Sequence, residues 1–577
     1  MSHAFNLVIR NGTVIDGSGG DPFEADIALK DGRIAELGKI GARGDEEIDA
    51  KGLLVAPGFV DVHTHYDGQA IWSNNLAPSS LHGVTSVVMG NCGVGFAPCR
   101  ESDRDLLVSV MEGVEDIPEI VMTSGLEWEW ESFPEYLLAL ERRAHDIDFA
   151  TQIPHSALRV YAMGKRGAER EPASETDLAL MQKLVKEAIG AGALGFATSR
   201  IFIHRTRAGA HIPSYDASEN ELAAIAQALK EMGRGVLQFV LAMPWRDMAS
   251  EVGLVARLAQ ASGRPASFSL AQDNANPESW REALAISAEA NRAGASVHAQ
   301  IFPRGVGMVI GHELSVNPFC LCPSYQPLAR LPFEERLVVL RDPGVRARLL
   351  SEAPLDPVAP LAMMGRYFER MFPLTDPPDY EPPLSKSVAA IARNKGLSAQ
   401  EVAYDLLLEK NGRAKLYVIL TNYAAGNLDC VLEMMNSNET ILGLGDGGAH
   451  YGMICDSGYP TFVLTHWTRD RAGAKLALPK AIRSLSHDPA QAVGLNDRGL
   501  IARGYKADLN VIDYDALSLS QPSVASDLPA GGKRLMQYAK GYRATIVSGE
   551  IIRRDGEATG KLPGRLVRGA QFAPGHV

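Results

Sequence analysis

Cysteine is scarce in this chain: there are six among 577 residues, too scattered for a disulfide framework, which fits a reducing compartment. Cys320 and Cys322 form a Cys-x-Cys pair in the Pro-rich stretch from Asn317 to Pro323. With no second pair at zinc-ribbon spacing, they read as a loop and not as a metal site. Long apolar runs are missing too. No segment reaches membrane-spanning length, and the first residues carry neither the apolar core nor the small-residue cleavage site of a signal peptide. The expected location is cytoplasmic, with no membrane partner. Basic runs are also absent. The 57 Lys and Arg stand against 69 Asp and Glu, a net charge of -12, which argues against a nucleic-acid surface. What is left is an ordinary globular composition, at a length that implies two or three domains.

The most informative stretch runs from Leu54 to Asp67. After a Pro57-Gly58 break, Phe59, Val60 and Val62 make a short apolar run, the pattern of a strand buried on both faces of a parallel sheet. It ends in His63 and His65. Side chains two apart on a strand point the same way, so both imidazoles can converge at the strand's carboxyl end, a metal-chelating geometry. Many isolated His-x-His pairs bind nothing, but the buried strand before this one and Asp67 after it favour a ligand pair.

Before this stretch, Leu7, Ile9, Val14, Ile27, Leu29 and Ile34 recur at strand-like spacing between turns at Asn11-Gly12 and Asp31-Gly32. The pattern returns in Ala507 to Ile512 and in Ala544 to Ile552. Each half has few strands, so residues 1–57 and 491–577 are expected to complete one small β-sandwich from the two chain ends. Residues 58–490 alternate short apolar strands with helical stretches. The strands are expected at Phe59 to Val62, Thr85 to Gly90, Phe149 to Ile153, Ala193 to Thr198, Gly235 to Val240, Ala266 to Leu270, Ser296 to Ile301 and Ile441 to Gly445. Leu416 to Leu420 competes for a place among them. Eight strands with helices between predict an α/β fold of TIM-like (β/α)8 barrel type. Residues 303–410 fit the repeat poorly and read as a long insertion at the catalytic end.

Several polar residues stand just past these strands, where a barrel keeps its chemistry. Cys92 lies between Gly90 and Gly93, which let the backbone pass close to a ligand; it is either a zinc ligand or a structural cysteine in a tight turn. Asp446, in Gly445-Asp446-Gly447-Gly448, is a candidate metal ligand or general base, and otherwise a helix cap. His450 would face the same mouth. Arg159 after the third strand and His204-Arg205 after the fourth could bind a substrate carboxylate, and Trp128 with Trp130 could line an aromatic pocket. His298, on the seventh strand, is a weaker candidate, since one histidine on an apolar strand is more often merely hydrogen-bonded.

Taken together, the chain resembles the amidohydrolase superfamily, in particular its D-aminoacylase (N-acyl-D-amino-acid deacylase) branch. The resemblance rests on Pro57 to His65, on Gly90-Asn91-Cys92-Gly93, on Pro154 to Arg159, on Gly192 to Phe196, on Asp446 and on the Gly504 to Val511 segment. It implies a distorted TIM barrel carrying zinc, with a metal-bound water attacking an amide carbonyl. It also implies that His63, His65 and Cys92 are metal ligands and that Asp446 takes the proton from the attacking water.

The sequence departs from that family on two strands. The family places a histidine after the fifth strand and another after the sixth. Here those strands read Val236 to Val240, with Gln238, and Phe268 to Asp273, with Gln272. Glutamine is a weak zinc ligand, so one Zn2+ per chain is expected, held by His63, His65 and Asp446 with Cys92 as a fourth ligand. Should Asp446 be a ligand, His450 and then His298 are the candidate bases.

The reading is a metal-dependent hydrolase of a non-peptide carbon-nitrogen bond, with an N-acyl amino acid or related amide as its small-molecule substrate. A lactone or ester hydrolase, or a metal-dependent lyase, on the same barrel is the alternative. A non-catalytic binding protein ranks last, because it would be expected to lose His63, His65 or Asp446. A homo-oligomer is only a general expectation.

Overall fold

The computed structural model describes residues 4–242, 247–357 and 359–575. Its centre is an eight-stranded parallel sheet: β1 (Phe59–Asp61), β2 (Val84–Met89), β3 (Asp148–Pro154), β4 (Gly195–Ser199), β5 (Val236–Val240), β6 (Ala266–Leu270), β7 (Val297–Ile301) and β8 (Thr440–Leu442). The strands pair in chain order from β1 to β8. β8 and β1 form no ladder, but Asp446 donates its backbone N–H to the His63 carbonyl at 3.1 Å and His65 donates to Gly447 at 2.7 Å, which bridges the seam. The sheet is therefore a nearly closed barrel. All eight expected strands are present, with Ala266–Leu270 unchanged and no boundary moved by more than three residues.

The longest of the three helices between β3 and β4 spans Glu175–Ala191 and buries Met181, Val185 and Ala188 along one side. Ser174 and Asp177 make a reciprocal capping box at its start, and Gly192 at φ 114° ends it in a conformation that other residues avoid.

Leu416 to Leu420 is not a barrel strand. Leu416–Thr421 is the middle strand of a separate antiparallel sheet, between Val306–Ile310 and Met371–Pro373. Its apolar run is buried there by Val388, Val402 and Leu407 of the surrounding helices, so a buried run alone did not reveal which sheet it belonged to.

Strands from both chain ends share one nine-stranded sheet. The join is the antiparallel pairing of Leu54–Pro57 with Leu509–Ile512, in which Val55 faces Val511. Leu7, Ile9, Ile27, Val55, Leu509, Val511 and Ile546 make its common core. The Pro57-Gly58 break is the step from this sheet into β1, which aims His63 and His65 into the barrel mouth.

Candidate metal centre

Four side chains converge at the mouth beside the seam. His63 and His65 both turn Nε2 toward one point. His63 Nε2 lies 3.3 Å from Cys92 Sγ and 3.7 Å from Asp446 Oδ1, and His65 Nε2 lies 4.0 Å and 3.7 Å from the same atoms. Two ligands on a tetrahedral zinc with ordinary bond lengths stand roughly 3.3–3.6 Å apart, so the set needs only small adjustments to hold one ion. Among the described residues, His63, His65 and Cys92 form a cluster whose donor atoms all lie within 4.8 Å of one another.

The backbone is bent to achieve this. Cys92, Asp446 and His450 have φ of 56°, 48° and 51°, a left-handed region that non-glycine residues rarely enter and that clusters at functional sites. The glycines around Cys92 are required by close approach. A Cβ at Gly90 would strike the Gln152 carbonyl, and one at Gly93 would lie 2.8 Å from Thr198 Cα.

The electrostatics suit a bound cation. Burial pulls the His63 imidazole down to about 4 and that of His65 to about 3, so both are neutral and ready to ligate at pH 7. Burial, with the nearby Glu115, Asp446 and Asp67, pushes the Cys92 thiol well above its usual range. A bound cation reverses that effect, because it stabilises the thiolate. Asp446 and His450 keep 19% and 18% of their side-chain surface exposed, against 2% and 1% for His63 and His65. The first pair therefore faces the incoming molecule.

Three residues complete the surroundings: Gln238, expected above only as a weak zinc ligand, and Gln300 and Glu115, which the sequence does not single out. Gln300 on β7 accepts from His63 Nδ1 at 2.7 Å, and its amide donates to Ser267 at 3.0 Å, which fixes which way the amide points. Gln238 accepts the Cys92 backbone N–H at 3.2 Å. Glu115, at the end of the helix Arg104–Glu115, is buried between His65 and His450. The only advance signal was the reach of two glutamines on strands already placed in the barrel.

The other candidates fare unevenly. His204 lies close enough to His450, His65 and His63 for their charges to add to its burial in lowering its pKa to about 3, and its Nδ1 meets Ser199 Oγ at 2.9 Å. Arg159 does not reach the mouth. It is buried in an ion pair with Glu221, which also holds His155 at 2.8 Å, because a buried guanidinium needs a carboxylate partner. Arg205 turns back on its own loop to the Gly209 carbonyl at 2.9 Å. His298 sits near the amino end of β7, where it lines a cavity of about 670 Å³ with Ser296 and Thr440, away from the donor atoms. Gln272 is held by Asn422, Ala424 and Pro277. Trp128 and Trp130 pack on each other at 5.3 Å and against Phe96 and Tyr136.

A nearly closed α/β barrel with imidazole, thiol and carboxylate donors at the carboxyl ends of its strands defines a class of metal-site hydrolases. The comparisons narrow it. Residues 46–553 match the Amidohydrolase family, and the chain belongs to that family, whose members hydrolyse carbon-nitrogen bonds. An uncharacterized protein of Mycobacterium tuberculosis is 27% identical over 610 aligned residues, 97% of this chain and 93% of that protein. The D-aminoacylase of Alcaligenes xylosoxydans xylosoxydans is 32% identical over 208 residues, which cover 36% of this chain and 40% of that enzyme.

Among solved structures, a D-aminoacylase described with a binuclear metal centre superposes with a TM-score of 0.66 at 23% identity, covering 98% of this chain and all of that one. The N-acyl-D-glutamate deacylase of Bordetella bronchiseptica, complexed with zinc and a phosphonate inhibitor, superposes at 0.65 and 22%, covering 98% and 99%. At these identities the likeness is one of fold.

Proposed function

We propose that this chain is a metal-dependent hydrolase that removes the acyl group from an N-acylated amino acid or a related small amide, using a single zinc ion. The observation that carries the reading is the convergence of His63 Nε2, His65 Nε2, Cys92 Sγ and Asp446 Oδ1. The deacylase relatives supply the substrate class.

His63, His65 and Cys92 would hold the zinc ion, with Asp446 beside it, and an ion there would supply Lewis acidity, polarising the amide carbonyl and making water nucleophilic near pH 7. One ion is expected because β5 and β6 offer no imidazole, and Gln238 and Gln300 spend their oxygens on Cys92 and His63. Asp446 stands beside both imidazoles through Oδ1, and its carboxylate would take the proton from water and return it to the departing nitrogen. His450 stands at the exposed edge, where it can assist that transfer. His204 borders the same space and is the remaining candidate for substrate contact.

Elemental analysis of the purified protein beside His63→Ala and Asp446→Ala tests the reading. About one zinc per chain, reduced in both variants, together with release of the amino acid from a panel of N-acyl-D- and N-acyl-L-amino acids, is the expected result. Protein that takes up no metal when offered zinc would overturn it.

A further inference from the structure

Glu115 has a placement that metal binding alone does not explain. Its side chain is 1% exposed, yet neither oxygen makes a hydrogen bond of normal geometry. The two oxygens divide between two rings instead: Oε1 lies 3.3 Å from His65 Nδ1, and Oε2 lies 3.5 Å from His450 Nε2. The backbone that carries it is also anchored in place. The Glu115 carbonyl accepts the His450 backbone N–H, and the adjoining Asp116 carboxylate accepts from Gly452 N–H at 2.9 Å and from the Ser315 hydroxyl at 3.0 Å. The helix end, the insertion and the loop carrying Asp446 and His450 are thus fastened together at Glu115.

A neutral imidazole carries one N–H, and whichever nitrogen finds an acceptor keeps the proton and leaves the other bare. Gln300 settles this for His63 by accepting from Nδ1. Nothing but the Glu115 carboxyl stands in the same relation to His65 among the described residues. We propose that Glu115 is a positioning residue that serves both rings. Its Oε1 accepts from His65 Nδ1–H and so leaves Nε2 bare toward Cys92 and Asp446, while Oε2 holds His450 by its inner nitrogen. Glu115 touches no reacting atom, and its effect passes through these two histidines. The inference rests on the zinc site proposed above.

The test compares the parent with Glu115→Gln and Glu115→Ala in two ways. One is zinc affinity by competition with a chromogenic chelator. The other is the tautomer of His65 in the metal-free protein, from histidine side-chain 15N shifts, with the signal identified by its loss in His65→Gln. Glutamine keeps an oxygen for His65 Nδ1–H and changes only the atom facing His450, from oxygen to N–H, so Glu115→Gln should stay within about threefold of the parent in zinc affinity, whereas Glu115→Ala should fall about 10- to 100-fold and lose the single tautomer.

An alanine variant with parental affinity and an unchanged tautomer would overturn the proposal. So would a glutamine variant that loses zinc as fully as alanine, since that is how a direct ligand behaves. A parent that holds no zinc would sink the proposed function instead, and the tautomer comparison would still decide the role of Glu115. Where alanine prevents folding, the glutamine variant and the parental tautomer carry the test.

Discussion

The two sides of the barrel mouth differ in kind. The side built from β1, β2 and the loop after β8 presents His63, His65, Cys92 and Asp446, groups that can ionise and have the chemistry to ligate a metal. The facing side, built from β5, β6 and β7, presents Gln238, Ser267 and Gln300, which carry no charge. The difference is one of division of labour. The first side supplies donor atoms, and the second aims them: Gln300 holds His63 by Nδ1, and Gln238 holds the Cys92 backbone. The proposed single ion asks for that arrangement, one side to hold it and the other to support the side that does.

The hardest blow to this contrast falls on the donor side. Asp446→Asn keeps the shape and removes the charge, so kcat/KM for the best acylated amino acid should drop about 10²- to 10⁴-fold, the usual worth of a positioned proton acceptor. Steady-state assays beside a zinc determination check it, and parental activity in Asp446→Asn would remove that residue from the chemistry. On the supporting side, Gln300→Leu takes away the acceptor at His63 Nδ1. Zinc affinity should weaken about 10- to 100-fold while the barrel stays folded, as chelator competition and thermal melting would read. Unchanged affinity would mean that the facing side aims nothing.

Most of the donor side was legible in the sequence because its signals are local. A buried strand that ends in His-x-His, and polar residues set among glycines after apolar runs, declare themselves without knowledge of the rest of the chain. The supporting side was not. Glu115 and Glu112 lie three apart on one helix, and nothing nearby in the sequence distinguishes the first, buried between two histidines, from the second, ion-paired with Arg207 at 3.0 Å. Arg159 was misplaced for the same reason, since its partner Glu221 is 62 residues away and only the packed structure brings them together. The barrel itself was readable strand by strand, and the one competing run, Leu416 to Leu420, belongs to a neighbouring sheet whose formation depends on distant partners.

The sides should also differ in their response to pH. In metal-free protein the folded-state imidazoles of His63 and His65 titrate near 4 and 3, below the ordinary value of 6.5. The unfolded chain therefore binds more protons than the folded one in this range, and stability should fall as pH drops from about 6.5 toward 4. Buried Asp61 and Asp67 act in the opposite direction. Their folded values of about 8 and about 7 lie above the ordinary 3.8, so the stability tied to their protonated forms is fully present below about 3.8 and is lost progressively as pH rises from there to 7–8, offsetting the gain from the histidines where the two ranges overlap. His65→Gln should therefore lower the slope with which melting temperature rises from pH 4 to 6.5, and Asp61→Asn should remove an opposing slope between about pH 4 and 8, whereas Gln300→Leu, which only takes away a hydrogen bond that raises the His63 value, should change the profile least.

The smallest effect is expected at Gln238. Its oxygen accepts the Cys92 N–H, while its own amide nitrogen is buried without a partner. Gln238→Leu removes that orphaned donor and creates another at Cys92, so the two changes largely offset each other. The remaining loss of stability should be about 1 kcal/mol, read from the shift of a denaturant midpoint, with zinc content unchanged. A loss of zinc in this variant would move Gln238 from the supporting side to the donor side, and with it the case for a single ion.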